Sequence, residues 1–372
     1  MTDENRCLHV VVFPWLAFGH MLPYLELSKS LAEKGHRISF ITTPRNLRRL
    51  PRPPSQISDL IHFVPLPLPQ VDGLPTDAEA TSDLPADRVE YLKLAFDRLE
   101  RPFRQFIQQT SPKPDWIIQD FAHHWVRHTR LQASRARRFP VHFHDELPRF
   151  SSAAVEVGPV IPVGLLPPPE MKGSEGSEGA DILGWLDKQK PRSAVYIAFG
   201  SEATLSPDML HQLALGLEMS KLPFVWALKE LANASADEPK FCRRAFEERG
   251  LRILAHESIG GFLTHSGWSS VIMSLQFGHP LVLLPIFSDQ GINARVIMEK
   301  GVAVEIERDE EDGSFTKEAV ARALRLVVTE EEGGSIRRRA EELREVFIDK
   351  DRQEKYVDDF VKYLQENREG GH

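Results

Sequence analysis

The stretch that decides the fold is Ile253–Gln290, ILAHESIGGFLTHSGWSSVIMSLQFGHPLVLLPIFSDQ. Residues 259–264 form a short apolar run that is typical of a buried strand, and residues 265–267 form a turn. From Trp268 onward, apolar residues recur at helical spacing. We therefore predict a strand, a turn and a helix that begins near Ser269.

The start of this predicted helix gathers hydrogen-bond donors. Its first backbone N–H groups have no partner within the helix, and the helix dipole attracts negative charge to them. The hydroxyls of Ser269 and Ser270 and the imidazole of His265 belong to the same corner. A phosphate group is the expected ligand, and the alternative is that these side chains only cap the helix.

A second corner of the same kind follows directly. Residues 280–285 predict a strand, and Ser288 predicts the cap of a helix that opens with Asp289 and Gln290. The side chains of Asp289 and Gln290 can bracket a polyol. Each residue alone is explained better as a helix cap, but three polar corners in one short stretch favour a ligand site.

Outward from this stretch, short apolar strands alternate with helical patterns, which is typical of parallel α/β sheets. We predict a helix over residues 20–34, several final helices over about 316–365, and no such alternation over residues 125–160. The predicted strands are 9–13, 37–42, 116–120, 194–199, 223–228, 260–264, 281–284 and 302–306. The fold class is therefore α/β, with two doubly wound domains that face each other across a cleft.

Composition places the boundary between the two domains. Residues 163–181 are rich in Pro, Gly, Ser and Glu, which predicts a linker. The linker separates an N-terminal domain over residues 1–162, shortened after about residue 125, from a C-terminal domain over residues 182–348. Residues 349–372 form a charged final helix.

Length and charge exclude several function classes. The chain has 372 residues, 41% of them apolar, and a net charge of -8 that argues against nucleic-acid or anionic-membrane partners. Cys7 and Cys242 are too few for a disulfide framework, and no segment reaches membrane-spanning length. We expect a cytoplasmic location. Neither G-x-x-x-x-G-K-[ST] nor G-x-G-x-x-G occurs, which argues against nucleotide hydrolysis and dinucleotide redox chemistry.

A candidate general base lies at the first strand-to-helix corner. His20 follows the strand over residues 9–13 and opens a helix, so it lies at the carboxyl edge of the sheet. The helix dipole keeps its imidazole neutral, and a carboxylate would make it basic. Asp120 closes another strand at the same edge and is the expected partner. The alternative for His20 is a helix cap.

Two other clusters carry less weight. His142, His144 and Asp145 have the composition of a metal site, but no second cluster has ligand spacing, so we expect no metal. Five arginines occur between Arg127 and Arg138. In an acidic chain, a solvated helix or a replacement loop explains them better than a phosphate-binding patch.

The runs HSGWSS, GHP, LPIFSDQ and NAR together resemble the signature box of plant family 1 UDP-glycosyltransferases. Within that family, these runs are most similar to those of members that attach a sugar to a sugar already present on a flavonoid or terpenoid. CLHVVVFPWLAFGHMLPYLELSKSLAEKGHRISFITTPRN, PDWIIQDFAHHW and AVYIAFGSEATLS extend the resemblance over most of the chain. It implies a GT-B fold of two facing Rossmann-like domains, with the final helix crossing back onto the first.

The resemblance also implies roles for individual residues. His20, within the motif G-H-x-x-P, is the general base, and Asp120 is its partner in a direct, inverting displacement. The sugar, glucose or rhamnose, moves from a UDP-sugar to a hydroxyl of a small plant metabolite or its glycoside. The implied donor-binding residues are Ser201, His265, Gly267, Trp268, Ser269 and Ser270 around the phosphates, and Asp289 with Gln290 at the sugar. The UDP-sugar is a co-substrate, so we expect no cofactor and no metal, and we expect a monomer.

The chain departs from the family pattern in the donor site. The family box begins with W-x-P-Q, whose Trp stacks on uracil, and here residues 249–252 run directly into Ile253 without it. Met273 stands where the family has the Glu that holds the ribose, whereas Ser266 and Ser269 are mild replacements for Cys and Asn.

The two donor-site losses define the alternative function. Stacking on an aromatic ring contributes roughly 1 to 3 kcal/mol, and a hydrogen bond to a charged group about 1.5 to 3 kcal/mol. Losing both weakens donor binding by roughly 10² to 10⁴-fold. The alternative to an active transferase is therefore a non-catalytic or severely weakened relative.

Overall fold

The computed structural model describes residues 7–85, 88–120, 122–123, 137–140, 177–200, 203, 205–227, 248–286 and 290–368. The chain divides into two compact units, Met1–Leu166 with Lys350–His372, and Pro167–Asp349. Each unit is built on a five-stranded sheet whose described strand pairs are all parallel. The α/β fold class predicted from the alternating pattern is confirmed.

The sheet of the first unit has the strand order β3-β2-β1-β4-β5. Its strands are β1 (His9–Phe13), β2 (Arg37–Thr42), β3 (Ile61–Pro65), β4 (Trp116–Gln119) and β5 (Arg137–Pro140). The chain moves outward from β1 to β3 and then returns to the other side of β1 with β4. The strand order therefore reverses between β1 and β4, and ligands of open α/β sheets bind beyond the carboxyl ends of strands at such a point.

Helices cover both faces of this sheet. They are α1 (Phe18–Glu33), α2 (Pro44–Arg49), α3 (Val89–Asp97), α4 (Glu100–Gln109) and, from the end of the chain, α12 (Lys350–Glu366). Alternate residues of β1 serve the two faces. Val10 and Val12 pack in one cluster with residues of α1 and α12, whereas Val11 and Phe13 pack in another with residues of α3 and α4. Both faces of β1 are thus buried, as is usual in parallel sheets.

The helix α12 is part of the first unit's core. Phe360 and Leu364 are both 0% exposed and pack on the β1 face that also contacts α1. The indole N–H of Trp116 donates to the carbonyl of Leu364 at 3.0 Å, and the Arg368 guanidinium contacts the Asp115 carboxylate at 2.7 Å. The last helix therefore supplies apolar area and polar anchors to a sheet formed more than two hundred residues earlier in the chain.

The second unit has the strand order β10-β9-β8-β6-β7, which reverses between β6 and β8. Its strands are β6 (Ala194–Ala198), β7 (Phe224–Ala227), β8 (Ile259–Thr264), β9 (Leu281–Leu283) and β10 (Ala303–Glu305). Its helices are α5 (Ser177–Leu186), α6 (Pro207–Ser220), α7 (Glu248–Leu254), α8 (Trp268–Gln276), α9 (Gln290–Glu299), α10 (Lys317–Val328) and α11 (Gly334–Ile348).

Local signals set the starts of two helices in this unit. The Ser206 hydroxyl accepts from the backbone N–H of Met209 at 3.2 Å and so caps α6, where Pro207 takes the first helical position. The Thr316 hydroxyl accepts from Ala319 N–H at 3.2 Å and caps α10 in the same way. The buried faces of these two helices pack on β6 in one apolar cluster.

Two expectations about the elements need correction. Residues 125–160 do contain a strand, β5, whose sequence RRFP combines two arginines with a proline and so hides the apolar alternation. The predicted linker over 163–181 overlaps α5 from Ser177, because the first turn of this helix uses the same Ser, Glu and Gly residues as a linker; residues 163–176 lie outside the described residues. The final helices expected over about 316–365 are α10, α11 and α12.

The described residues offer neither a membrane-crossing helix nor a cluster of metal-ligating side chains. None of the helices in the described ranges combines the length and hydropathy that a membrane crossing requires. Among the same residues, His, Cys, Asp and Glu side chains form no group of three or more that could hold a metal ion. His142, His144 and Asp145, which have metal-like composition, lie outside the described residues.

Each unit also buries a histidine. The ring of His123 lies between those of Phe13 and Phe96, at centroid distances of 4.6 and 4.8 Å, and burial lowers its pKa to about 4. In the second unit, a ring nitrogen of His279 lies 2.5 Å from the Leu254 carbonyl oxygen, and burial again lowers the pKa to about 4. Both imidazoles are therefore neutral in the folded protein at neutral pH.

The buried histidines predict a loss of stability in acid. An unfolded histidine titrates near pH 6.5, so between about pH 6.5 and about pH 4 the unfolded chain binds protons that the folded chain excludes. Each group then lowers the free energy of unfolding by up to about 1.4 kcal/mol per pH unit as the pH falls. Urea unfolding at about pH 7 and about pH 5 measures this loss. His123→Phe, which keeps a ring between Phe13 and Phe96, should reduce it, and the exposed His62 supplies the control His62→Phe. Equal pH dependence in both variants would contradict the assignment.

Candidate active site

The first polar corner lies where the strand order reverses between β1 and β4. His20 belongs to the first turn of α1, which follows β1, and Asp120 follows β4 directly. The structure brings the two side chains together, with His20 Nδ1 2.7 Å from Asp120 Oδ2. The carboxylate is only 8% exposed, whereas 35% of the His20 side chain is accessible. The pair is therefore anchored in the protein at the carboxylate and open to solvent at the imidazole.

Backbone groups fix the orientation of Asp120. The same Oδ2 atom accepts the backbone N–H of Trp15 at 3.1 Å. A ring nitrogen of His123 lies 3.2 Å from the Asp120 carbonyl oxygen and ties the turn that follows β4. With its carboxylate held in this way, Asp120 favours the His20 tautomer that carries the proton on Nδ1. The lone pair of the imidazole is then on Nε2, the nitrogen that can accept a proton from a substrate.

Tyr24, one turn further along α1, joins this helix to β4. Its hydroxyl donates to the Gln119 carbonyl at 3.2 Å. Burial, helped by the charge of Asp120, raises the pKa of Tyr24 well above its ordinary value. Tyr24 is therefore a permanent neutral donor, and its bond sets the start of α1 against the end of β4.

Long-range contacts that the sequence does not predict also hold the start of α1. The Arg49 guanidinium lies 4.4 Å from the ring centroid of Phe18, the first residue of α1. The same guanidinium contacts the Asp83 carboxylate at 2.9 Å. Beside it, the backbone N–H of Thr81 donates to the Leu16 carbonyl at 3.0 Å. These contacts join segments that are far apart in the chain and carry no periodic pattern, so no sequence signal points to them.

The second unit also has a polar corner with a histidine where its strand order reverses, between β6 and β8. His265 follows β8, is 9% exposed, and has its Nδ1 3.2 Å from the Thr264 hydroxyl. Its ring fills a cradle formed by two glycines. A Cβ atom on Gly200, which lies beyond β6, would sit 2.9 Å from His265 Cε1, and one on Gly267 would sit 2.6 Å from Nε2. Only glycine at these positions leaves room for the imidazole.

The helix α8 begins directly after this cradle. Gly267 is its N-cap, so no side chain at that position competes for the N–H groups of the first turn. Trp268, Ser269 and Ser270 form that turn and are half-buried, and Met273 lies on the face of Ser269 and Ser270 one turn later. The positive end of the α8 dipole therefore meets the imidazole of His265 in one polar corner.

Ser266 stands between His265 and the helix in an uncommon conformation. Its φ of +68° lies in the left-handed region, which costs a residue with a Cβ atom roughly 1 to 2 kcal/mol. Ser266 is 0% exposed, and its carbonyl accepts the side-chain amide of Asn293 at 3.1 Å. The corner is therefore held in this conformation from a neighbouring helix, α9.

The remaining predicted residues divide into two groups. Gln290 is the first described residue of α9, is 4% exposed, and accepts the Ile286 N–H on its Oε1 atom at 2.8 Å. Its amide oxygen thus holds the backbone at Ile286, a structural role that no sequence pattern indicates. Ser201, Ser288 and Asp289 lie outside the described residues.

Comparison with known proteins supplies an independent view of the chain. Residues 183–358 match the family model described as UDP-glucoronosyl and UDP-glucosyl transferase. The chain is 40% identical to UDP-glycosyltransferase 91A1 of Arabidopsis thaliana, with 98% of each chain covered. It is 34% identical to soyasaponin III rhamnosyltransferase of Glycine max, with 98% of this chain and 97% of the relative covered.

These comparisons also show that the chain is short. The alignment with the Arabidopsis relative extends over 463 residues, whereas this chain has 372. Among solved structures, Arabidopsis thaliana UGT89C1 complexed with UDP-L-rhamnose has the same fold, with a TM-score of 0.77 at 24% identity over 96% of this chain and 99% of that one. Segments present in the relatives are therefore absent here, while the two-sheet fold is kept.

The glycine cradle predicts the effect of a single methyl group. The Gly267 φ of -61° suits any residue, so Gly267→Ala acts through its contact with His265 and through the weaker capping of α8 by alanine, and only the first of these displaces the imidazole. We expect a loss of about 1 to 3 kcal/mol in the free energy of unfolding and displaced NMR signals of the His265 ring. Gly184→Ala in α5 is the matched control, because no atom lies within 4 Å of its added Cβ. It should gain up to about 1 kcal/mol. An unchanged His265 signal in Gly267→Ala would disprove the cradle.

Proposed function

This chain belongs to the family of plant UDP-glycosyltransferases, and on that premise we propose that it moves a glucose or rhamnose from a UDP-sugar to a hydroxyl of a small plant metabolite or its glycoside. The His20–Asp120 contact of 2.7 Å is the observation that carries the proposal. A histidine backed by a buried carboxylate is an arrangement suited to general-base catalysis. In this proposal the first unit takes the acceptor and the second takes the UDP-sugar.

The reaction is a direct, inverting displacement. Nε2 of His20 removes the proton from the acceptor hydroxyl, and the oxygen forms a bond to the anomeric carbon of the sugar. The bond from this carbon to the phosphate oxygen breaks, and UDP leaves with the electron pair. Asp120 stabilises the imidazolium that forms on His20, and so lowers the barrier to proton transfer.

The second unit would stabilise the leaving group. The first turn of α8, with Trp268, Ser269 and Ser270, presents backbone N–H groups and the positive end of a helix dipole. His265 supplies a further donor in the same corner. We assign the diphosphate to this corner, with Gly267 allowing its close approach and with Ser201 as a further contact. We assign binding of the sugar hydroxyls to Asp289 and Gln290. In this scheme, helix and imidazole donors carry the charge of the leaving group, so it needs neither a metal nor a cofactor.

A second candidate is a severely weakened or non-catalytic relative. Two observations favour it. Met273 lies one turn after Ser269 on α8, where the family pattern has a carboxylate for the ribose, and the chain lacks the W-x-P-Q segment before Ile253. The affinity for the UDP-sugar therefore distinguishes the two candidate functions. The His20–Asp120 pair does not, because both candidates contain it.

His20→Ala tests the proposed base. General-base catalysis contributes roughly 10² to 10⁴-fold, so we expect kcat for glycosyl transfer to fall by about that factor. The measurement is product formation by mass spectrometry, with UDP-glucose or UDP-rhamnose as donor and flavonoid or terpenoid glucosides as acceptors. Asp120→Asn should lower kcat as well, because the amide cannot stabilise the imidazolium.

The exposed His62 of β3 provides the matched control for this test. His62→Ala removes the same kind of side chain away from the corner and should keep the wild-type rate. A His20→Ala enzyme with unchanged kcat would show that His20 is not the base. Absence of product from every donor and acceptor pair with the wild-type chain would favour the non-catalytic candidate.

Met273→Glu tests the missing ribose contact. A carboxylate at this position can accept the ribose hydroxyls, and a hydrogen bond to a charged group contributes about 1.5 to 3 kcal/mol. We therefore expect UDP affinity in titration calorimetry to rise by about tenfold or more. Met298→Glu, on the exposed side of α9, adds the same charge elsewhere and should leave the affinity unchanged. Equal affinities in wild type and Met273→Glu would mean that the ribose is held otherwise.

A further inference from the structure

Asn293 connects the two polar corners of the second unit. It lies on α9, one turn after Gln290, and is 3% exposed. Its Nδ2 atom donates to the Ser266 carbonyl at 3.1 Å, across 27 positions of the chain. Gln290 meanwhile holds Ile286 N–H at 2.8 Å. The start of α9 therefore holds both the turn after β8, at Ser266, and the backbone at Ile286.

The residue that Asn293 holds is the conformationally costly one. Ser266 has a φ of +68° and no exposed surface. Its neighbours in the chain are His265, whose ring fills the glycine cradle, and Gly267, the N-cap of α8. A relaxation of Ser266 toward negative φ would turn its peptide groups, and would therefore move both the imidazole and the first N–H groups of α8.

We propose that Asn293 is a positioning residue for the diphosphate of the donor. Its amide keeps Ser266 in the left-handed conformation, and this conformation keeps His265 and the start of α8 aimed at one point. The proposal rests on the proposed function, because it assigns the diphosphate to this corner. Asn293 itself acts through the backbone of Ser266.

UDP without its sugar is the probe that isolates this role. Asn293→Ala removes the donor to the Ser266 carbonyl, so UDP affinity in titration calorimetry should fall by about tenfold or more. A residue that served only the sugar would leave the affinity for UDP unchanged. Asn367→Ala is the matched control, because Asn367 also donates its side-chain amide to a backbone carbonyl, that of Tyr363, at 2.9 Å. This control should bind UDP as the wild type does.

A rescue experiment separates positioning from a general loss of structure. Glycine adopts positive φ without steric cost, so the Ser266→Gly variant needs no clamp at this position. In the Ser266→Gly background, Asn293→Ala should therefore weaken UDP binding by less than about threefold. An equal loss of affinity in the wild-type and Ser266→Gly backgrounds would overturn the proposal.

Unfolding in urea keeps the inference independent of donor binding. The wild type, the two single variants and the double variant form a double-mutant cycle. In this cycle, Asn293→Ala should change the unfolding equilibrium constant about fivefold less in the Ser266→Gly background than in the wild type. If the wild-type chain binds no UDP, the proposed function fails, and this cycle still tests the clamp. A non-additive cycle would then support the clamp on Ser266, and an additive cycle would refute it.

Discussion

The structure of the first unit depends on the burial of one carboxylate. Asp120 is 8% exposed, and an ionised carboxylate out of water is costly unless donors surround it. The Trp15 N–H and the His20 imidazole both converge on its Oδ2 atom. Because these partners come from the turn after β1 and from the first turn of α1, satisfying Asp120 also sets the β1–α1 corner against the end of β4. The same requirement that stabilises the fold therefore aims the proposed base.

The second unit has the same sheet topology, but the polar groups at its strand reversal have the opposite electrostatic character. At its strand reversal between β6 and β8, the corner holds donors rather than a carboxylate: a helix start without a capping side chain, and a histidine enclosed by two glycines. On the proposed function, one doubly wound topology thus provides a site for accepting a proton in one unit and a site for binding negative charge in the other. The residues at the strand ends, and not the topology, decide which chemistry each reversal favours.

Sequence alone predicted what depends on local pattern. The strands β1 and β2 have the predicted bounds, because apolar runs followed by turn residues fix them. His20 and Asp120 were paired because each follows a strand, and the carboxyl ends of parallel strands share an edge. The bonds from Asn293 to Ser266 and from Arg49 to Asp83 were not predictable, since they join residues 27 and 34 positions apart without a repeating signal. The strand β5 was missed because its arginines suit an edge strand but not an apolar pattern.

On the proposed function, the departures from the family pattern affect KM for the donor more than kcat. Uracil and ribose lie away from the carbon that reacts, so groups that bind them hold the substrate and the transition state about equally. Losing such groups raises KM and leaves kcat largely unchanged. The base, its carboxylate and the donors at α8 interact with charge that changes during the reaction, and these are the groups that the chain retains. A chain shortened in this way therefore keeps the machinery for the chemical step and loses the affinity that brings the donor to it, so its turnover would be limited by donor concentration.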